Sequence, residues 1–494
     1  MLQTLVRVAG LCLVCGLANA SPWLEPGDLA LRSDLQALAD AGLLRTPITT
    51  WPLPWGDIAA AAAEADQARV DERALPVLAR VRERARLETR TGDLTLHTRL
   101  AIAEQPNRIR TFDDTPRGDG EAGIGLSWTG NRFAVRLTGT GVSNPVDDDS
   151  FRLDGSYVGV ALGNWMLSVG YPERWWGPGW DGSLILSTNA RPTPQISINR
   201  NNATPFDTRF LRWIGPWSLT SFMGRLDDTR VVEDGLLFGL RLTAKPLPQL
   251  ELGLSRTAQW CGTGRPCDGG TFLDLLLGKD NSGVNVSAQS EPGNQLAGVD
   301  LRWTFADRGA PAAVYMQWIG EDSRQGGPQI GSWLRQVGAE FRGTALTRWQ
   351  HRTHIEVADT TCQEGSAGFG GEKPDCAYGH GIYTTGYRYR GQSLGAGIDG
   401  DGIAYTIGST LTGPDDRVWN LSTRRMEINR VGAPDPQHTL SPTPQTITDL
   451  SASHSRRVGL GTLTAGLGVR QLRDTLAAER DDRSWFGWVE FRID

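Results

Sequence analysis

VDLRWTF, from Val299 to Phe305, alternates apolar and polar side chains along its whole length. Its odd-numbered residues are apolar, whereas its even-numbered residues are Asp300, Arg302 and Thr304. Because successive side chains of a β-strand point to opposite faces, the stretch predicts a strand with one apolar and one charged face. A water-soluble sandwich buries an apolar inner face, whereas a membrane barrel combines an apolar exterior with a polar lumen. The stretch therefore favours a membrane barrel, and an antiparallel sheet with one face in water stays open.

The same period of two recurs from about residue 94 to the end of the chain. It is seen in FAVRLTG (133–139), LELGL (250–254) and SWFGWVEFRID (484–494), separated by polar segments of uneven length such as NPVDDDS. Short turns alternating with longer loops are typical of outer-membrane barrels, and about 400 residues suffice for about 16 to 20 strands. A long loop is expected from Gly413 to Asp449.

Composition excludes two other classes of protein. The chain has 494 residues, 39% of them hydrophobic, and a net charge of −6, so its charge does not suit a nucleic-acid partner. After the N-terminal segment, no apolar run reaches the roughly 18 residues of a membrane helix. A location in a membrane therefore requires a closed barrel that faces outer-membrane lipid.

Residues 1–20 have the pattern of a secretory signal peptide. Arg7 precedes an apolar run, which ends at the small-residue sequence Ala18-Asn19-Ala20. Cys12 and Cys15 lack the residues that precede a lipidated cysteine. We therefore expect export and cleavage after residue 20.

Residues 21–90 predict a small helical bundle, and residues 91–494 the barrel. Leu31, Leu35 and Leu38 recur with a helical period, Asp28 stands at the N-cap position and Gly42 at the C-terminal end. Further helices are predicted from Asp57 to Asp66 and from Leu75 to Leu87. These helices are too short and polar to span a bilayer, so they plug the barrel on its periplasmic side or form a small periplasmic domain.

Four cysteines remain after the signal segment, and an even number in an exported chain favours disulfides. Cys261 with Cys267 and Cys362 with Cys376 is the simplest of the three possible connectivities. Zinc is the alternative, but the Cys-x-x-Cys spacing is missing. His351 and His354 would point to opposite faces of a strand. We expect neither a metal nor a cofactor.

RWWGPGW, from Arg174 to Trp180, carries the candidate binding residues. Indole rings pack on sugar C–H faces, while nearby polar side chains bond to hydroxyl groups, so the segment suits a polysaccharide. A structural role is favoured over sugar contact, since glycines and tryptophans also build a tight buried loop within the barrel mouth or an interfacial belt, and the ligand then also meets extracellular loops. The candidate contacts are Arg174, Trp175, Trp176, Trp180, Asp181, Asn189 and Arg191.

Two carboxylates near this segment, Glu173 and Asp181, could serve a glycosidase, which needs a pair flanking the bond. A charged lumen produces such pairs without catalysis, so we expect no catalytic residues. Arginine far outnumbers lysine, of which Lys245, Lys279 and Lys373 are the only examples. Arginine suits the carboxylates of anionic sugars, although genomic base composition accounts equally well for the bias.

Several stretches together resemble the Wzi-type capsule assembly family. They are the segment from Ser21 to Trp55, RWWGPGWDGSLILSTNARP, GPW at 215–217, LELGLSR at 250–256, PGNQLAGVDLRW at 292–303 and GED at 320–322. The match weakens beyond Gly343. The resemblance implies an outer-membrane barrel of about eighteen strands, closed at its periplasmic end by N-terminal helices. It also implies a lectin that holds capsular polysaccharide on the cell surface without catalysing a reaction.

Three functions therefore stand as hypotheses. The first is a lectin for capsular polysaccharide or exopolysaccharide, with the polysaccharide export machinery as a further partner. The second is a porin or glycan channel, which needs an open lumen. The third is an outer-membrane glycan hydrolase, which needs a working carboxylate pair.

Overall fold

The computed structural model describes most of the chain after the N-terminal segment. The described residues are 22–65, 70–277, 293–305, 311–323, 330–345, 349–365, 368–373, 376–430, 437–474 and 481–493. The signal peptide predicted for residues 1–20 lies outside them.

Eighteen antiparallel strands close into one barrel within the described residues. The fourth strand is interrupted, and both of its segments pair with the third. The last strand pairs with the first, so the sheet has no free edge. This confirms the predicted large barrel. The strands are β1 Leu94–Glu104, β2 Gly120–Thr129, β3 Phe133–Ser143, β4 Phe151–Arg152 with Tyr157–Leu162, β5 Trp165–Gly170, β6 Gln195–Arg200, β7 Trp217–Arg225, β8 Leu236–Leu247, β9 Leu250–Trp260, β10 Gly293–Phe305, β11 Ala312–Ser323, β12 Ile330–Ala345, β13 Trp349–Glu364, β14 Ile403–Thr412, β15 Val418–Ile428, β16 Gln445–Val458, β17 Gly461–Asp474 and β18 Asp481–Ile493.

The alternation of apolar and polar residues sorts side chains between the exterior and the lumen. In β10, Val299 and Phe305 are 42% and 45% exposed on the outer face, whereas Asp300 and Arg302 are buried inside. In β18, Trp485 is exposed and its neighbours Phe486 and Glu490 are buried. An apolar exterior around a charged interior is the pattern of a membrane barrel.

The two ends of the barrel differ in the length of their connections. Turns 163–164, 248–249 and 459–460 lie at one end, and long connections such as 171–194 and 365–402 lie at the other. Short turns mark the periplasmic end of outer-membrane barrels and long loops the outer end. We call these the inner and outer ends.

The prediction of a long loop from Gly413 to Asp449 is wrong. Val418–Ile428 forms β15, which pairs with β14 and β16. Its outward and inward side chains alternate as in the other strands, but the surrounding proline- and glycine-rich sequence conceals the pattern. The connection at the outer end is therefore reduced to residues 429–444.

Within the described residues, three helices precede the barrel, namely α1 Leu29–Asp40, α2 Trp55–Glu64 and α3 Leu75–Glu88. Asp28 caps α1 by accepting a hydrogen bond from the Leu31 N–H at 2.9 Å, and Gly42 follows the helix with a φ of +73°. A fourth helix, α4 Gly269–Leu276, lies in the loop after β9.

Among the described residues, no helix combines the length and the apolar character needed to cross a membrane.

Residues 22–65 and 70–88, which contain α1–α3, form what we call the plug, and they fill the inner end of the lumen. The plug has its own core, in which Leu35, Trp55 and Val81 are almost completely buried. It contacts the barrel wall near the short turns, where Arg80 donates to Gln350 Oε1 at 2.8 Å. The helices therefore lie inside the barrel.

A buried ion network fastens α1 to the wall. The Asp40 carboxylate lies 2.9 Å from the Arg302 guanidinium and 3.1 Å from that of Arg352. Both arginines also contact Glu340, each at 2.6 Å. All four side chains are nearly inaccessible to solvent, so each charge depends on its partners.

Asp40→Asn should weaken the attachment of the plug. Removal of the carboxylate leaves two buried guanidinium groups facing one acid, and breaking a buried ion pair costs about 3–5 kcal/mol. The free energy of unfolding in detergent, from guanidinium titration, measures the loss. Glu83→Gln on the exposed face of α3 is the control. Equal stability of the two variants would contradict a fastening role for Asp40.

Candidate functional site

The connection between β5 and β6, residues 171–194, folds back into the lumen, and we call it the inner loop. Trp175 and Trp176 pair antiparallel with Trp51 and Thr50 of the plug. Both indoles are fully buried. Trp175 packs edge-on against Phe112, with 5.3 Å between the ring centroids. The inner loop is therefore built into the interior of the barrel.

The glycines of RWWGPGW allow the loop to approach the wall closely. Gly177 has a φ of +146°, and a Cβ there would lie 2.7 Å from the side-chain nitrogen of Gln317. That Gln317 amide donates to the Trp176 carbonyl at 2.8 Å and accepts from the Leu184 N–H at 2.7 Å. A side chain at position 177 would displace the amide that holds the loop.

Glu356 of β13 fixes the tip of the inner loop. Its carboxylate accepts the backbone N–H groups of Trp180 at 2.8 Å and Gly182 at 3.1 Å. It also accepts from the Tyr315 hydroxyl at 2.9 Å and the Gln336 amide at 2.6 Å. Four donors around one buried carboxylate make this a stable anchor.

Arg32 joins the plug to the same tip. Its guanidinium donates to the carbonyls of Pro178 and Gly179 at 2.9 and 2.8 Å. It also lies 4.2 Å from the centre of the Trp180 ring, a favourable cation–π position. Burial lowers the pKa of Arg32 to about 10, so the group remains charged at neutral pH.

A second outer loop, residues 376–402, covers the inner loop, and we call it the lid. The hydroxyl groups of Tyr378 and Tyr387 donate to the carbonyls of Leu184 and Ile185 at 2.6 and 2.9 Å. Both tyrosines are fully buried. The lid, the inner loop and the plug therefore occupy the lumen as successive layers.

Disulfides stabilise the bases of two outer loops. The structure pairs Cys362 with Cys376, which joins the end of β13 to the first residue of the lid. It pairs Cys261 with Cys267 in the loop that precedes α4. These are the two local pairs that the sequence favours.

Two of the predicted polar contacts, Arg174 and Asn189, are used inside the fold. Arg174 donates to Gln195 Oε1 at 2.8 Å, and burial lowers its pKa to about 9. Asn189 accepts the Arg110 N–H at 3.1 Å and donates to the Ser393 carbonyl of the lid at 3.0 Å. Such side chains hold loops together.

Asp181 of the inner loop contacts a different part of the barrel wall, formed by β14 and β15. It accepts from the Thr406 hydroxyl at 3.0 Å and lies 3.4 Å from the Arg424 guanidinium. With Trp180 it lines a cavity of about 70 Å³ that also contains Phe486.

Arg191 lies at the outer end, in what we call the mouth cluster. Its guanidinium contacts Asp147 at 3.2 Å, Asp149 at 2.7 Å and Asp154 at 2.8 Å. Arg390 of the lid completes the cluster with a 3.0 Å contact to Asp149. Although burial opposes it, hydrogen bonds and the charges of these acids raise the pKa of Arg191 above its ordinary value.

The structure therefore distributes the seven predicted contacts instead of gathering them on one surface. Polysaccharide contact by these side chains stays a prediction. A glycan outside the barrel would reach Trp175 and Trp176 only after displacement of the lid. The residues that anchor the inner loop, Gln317 and Glu356, were missed, because alternation marks them as inward but does not show what they contact.

The remaining candidate groups also have partners. Glu173 lies 3.6 Å from the Arg117 guanidinium. Its partner is therefore not one of the partners of Asp181. His354 stacks on Trp180 with 5.7 Å between the ring centroids. In the part of the chain that the structure describes, no three His, Cys, Asp or Glu side chains are grouped so as to hold a metal ion.

Fold and interior together define a class: a closed outer-membrane-type barrel whose lumen is filled by its own plug and loops. Residues 98–484 match the model of the family described as capsule assembly protein Wzi. Wzi of Escherichia coli, described as a carbohydrate-binding β-barrel of the outer membrane involved in group 1 capsule assembly, superposes with a TM-score of 0.82 and 25% identity, covering 96% of this chain and 99% of that one. An uncharacterised 55.8 kDa protein in the cps region of Klebsiella pneumoniae is 31% identical over 367 residues, 72% of this chain and 70% of that protein.

The chain belongs to the Wzi capsule assembly family. It is an outer-membrane protein with the eighteen-stranded barrel that the family resemblance implied.

Glu173→Gln should make the protein less sensitive to pH. Burial and the charge of Asp114 raise the pKa of Glu173 from 4.5 to about 7 in the folded state. Because the unfolded chain ionises near 4.5, the free energy of unfolding of the native protein falls as pH rises between these values. At pH 8 the variant should be more stable by up to about 3 kcal/mol, and near pH 4 the difference should vanish.

Guanidinium unfolding in detergent between pH 4 and 8 measures this difference. Glu83→Gln is the matched control, because an exposed carboxylate bonded to Arg86 stays ionised above pH 5. If the free energies of unfolding of Glu173→Gln and the native protein differed by the same amount over the whole pH range, the raised pKa of Glu173 would be contradicted.

Proposed function

We propose that the protein is a lectin that binds capsular polysaccharide or exopolysaccharide and attaches it to the cell surface during capsule assembly. Family membership supports this function, as does the description of the Escherichia coli barrel as carbohydrate-binding. The observation that carries it is the filled lumen: loops that fill a barrel also hold their outer residues in fixed positions. A rigid outer face suits a polymer that passes across the mouth.

Arg390 is the best candidate for direct contact at this face. Its side chain is 36% exposed, and its backbone, with a φ of +49°, is held by a hydrogen bond to Asp227 at 3.1 Å. Its guanidinium lies 5.7 Å from the ring of Tyr389. An exposed guanidinium can bind a sugar carboxylate through two parallel hydrogen bonds. Arg191, from the predicted set, would position Arg390 through their shared partner Asp149.

The filled lumen argues against a porin. A diffusion pore needs a continuous wet path, but the plug, the inner loop and the lid lie across the barrel and are joined by hydrogen bonds. We therefore propose that the alternation of polar residues serves internal packing and not conduction.

The positions of the carboxylates argue against a glycan hydrolase. Glu173 faces Arg117, whereas Asp181 bonds to Thr406 and faces Arg424. A glycosidase needs two carboxyl groups directed at one bond. We therefore propose that the protein binds polysaccharide without catalysing a reaction.

The organisation of the chain follows the same proposal. Residues 1–20 would be a removed signal peptide, residues 21–90 the plug and residues 91–494 the transmembrane barrel. The apolar exterior would face outer-membrane lipid, and the polysaccharide export machinery would deliver the polymer.

Arg390→Ala should weaken retention of the host polysaccharide by the purified protein. Loss of a charged hydrogen bond corresponds to about a tenfold decrease in affinity. Arg473→Ala is the control, because Arg473 is also an exposed arginine at the outer end and pairs with Asp481. Retention on immobilised polysaccharide measures both variants. Equal retention by both would remove the mouth cluster from the binding face, and no retention by the intact protein would contradict the lectin.

Trp175→Ala should chiefly destabilise the fold. Removing a fully buried indole leaves a cavity and costs about 3–5 kcal/mol. The unfolding free energy and polysaccharide retention of the folded fraction are measured together. Unchanged stability with lost retention would instead place this indole on the sugar.

A further inference from the structure

A second cavity lies at the inner end of the barrel, away from the mouth cluster. It has a volume of about 440 Å³ and lies between the plug and the inner ends of β12–β14. Its lining includes Ser33 and Val77 from the plug and Arg342, Thr344 and Thr412 from the wall. This volume is in the range of small-molecule sites.

Among the described residues, positive charge exceeds negative charge in the lining of the cavity, which has two arginines, Arg73 and Arg342, and one acid, Asp34. Arg342 lies in its wall, and the guanidinium Nε is buried without a hydrogen-bond partner within the described part of the chain. The acid in the lining, Asp34, is engaged by Arg80 at 2.6 Å. Nearby Asp40 is held by two other arginines. The Nε–H of Arg342 is therefore a donor that no described group of the protein satisfies.

The remaining lining suits a sugar. The side chains of Ser33, Thr344 and Thr412 carry hydroxyl groups, which can donate and accept hydrogen bonds. Val77 and the Ala37 methyl group add apolar surface against which a sugar ring can pack. A cation, several hydroxyls and a small apolar face together match an acidic saccharide better than a simple inorganic anion.

We propose that this cavity binds an acidic saccharide unit, one or two sugars in size, with its carboxylate on Arg342. The proposal rests on the proposed lectin function and names its substrate class: polymers that carry uronic or other carboxylated sugars. It adds a periplasmic binding site to the one at the outer mouth. A chain end approaching from the periplasm would meet this cavity first.

Thiol labelling tests the charge of the cavity. Ser33→Cys, in protein purified from the outer membrane in detergent, is reacted with an anionic sulfonatoethyl or a cationic trimethylammonioethyl methanethiosulfonate. Rates are normalised to those of free cysteine, and unsubstituted protein supplies the background. The anionic reagent should be favoured by about fivefold, and Arg342→Gln in the same background should clearly lower the preference, with Arg73 left in the lining. Arg86→Gln, at an exposed arginine of α3, should preserve it.

Protection from labelling tests the ligand class. D-glucuronate should slow the labelling of Ser33→Cys saturably, whereas glucose and inorganic phosphate at equal concentration should not, and Arg342→Gln should remove the protection. Equal protection by phosphate would overturn the saccharide assignment. No charge preference, or no protection by glucuronate, would overturn the site.

The experiments distinguish failure of the proposed outer site from failure of the proposed inner site. Loss of polysaccharide retention by the intact protein, with glucuronate protection preserved, would contradict the lectin but leave the inner cavity as a saccharide site. Normal retention by Arg342→Gln, together with lost protection, would support two independent sites.

Discussion

The structure depends on neutralising the charges that the barrel wall directs into its lumen. A strand with an apolar outer face in lipid places every second side chain inside, and in this chain many of these are acids and arginines. Buried charges are costly unless they are paired and hydrogen-bonded. Glu251 accepts two backbone N–H groups of the plug, Glu356 accepts two from the inner loop, and Arg302 pairs with Asp40. The plug and the loops thus supply the hydrogen-bonding and charged partners that the inward side chains of the wall need.

This requirement explains the composition of RWWGPGW. Its indoles fill the space between the plug and the wall, and its glycines let backbone donors approach wall side chains. The tip is therefore held by Glu356 from one side and Arg32 from the other. The segment resembles a sugar site in composition, but its position makes it the central layer of the lumen filling.

Filling the lumen moves any recognition of polymer to the ends of the barrel. At the outer end, Arg390 of the lid is held in place by Asp149 and Asp227, which belong to two neighbouring loops. At the inner end, the plug leaves a cavity with Arg342 in its wall. Both arginines lie where a carboxylated polymer could reach them without unfolding the interior.

The sequence by itself determined the architecture, because alternation along a strand and helical spacing in the plug are local properties. The neighbouring residues alone predict that Val299 points outward and Asp300 inward. In the same way, Asp28 and Gly42 mark the two ends of α1. The charged inner face and the apolar outer face then favour a membrane barrel.

Only the tertiary structure decided which inward groups meet. Glu356 contacts a loop more than 170 residues away in sequence, and the Asp40 carboxylate meets an arginine 312 residues further on. Nothing in either local sequence specifies such a partner, because the contact arises from closure of the barrel and insertion of the loops. The strands other than β15 were therefore predictable, as was a buried turn at the tryptophan segment, whereas the partners of that segment and the two proposed arginine sites were not.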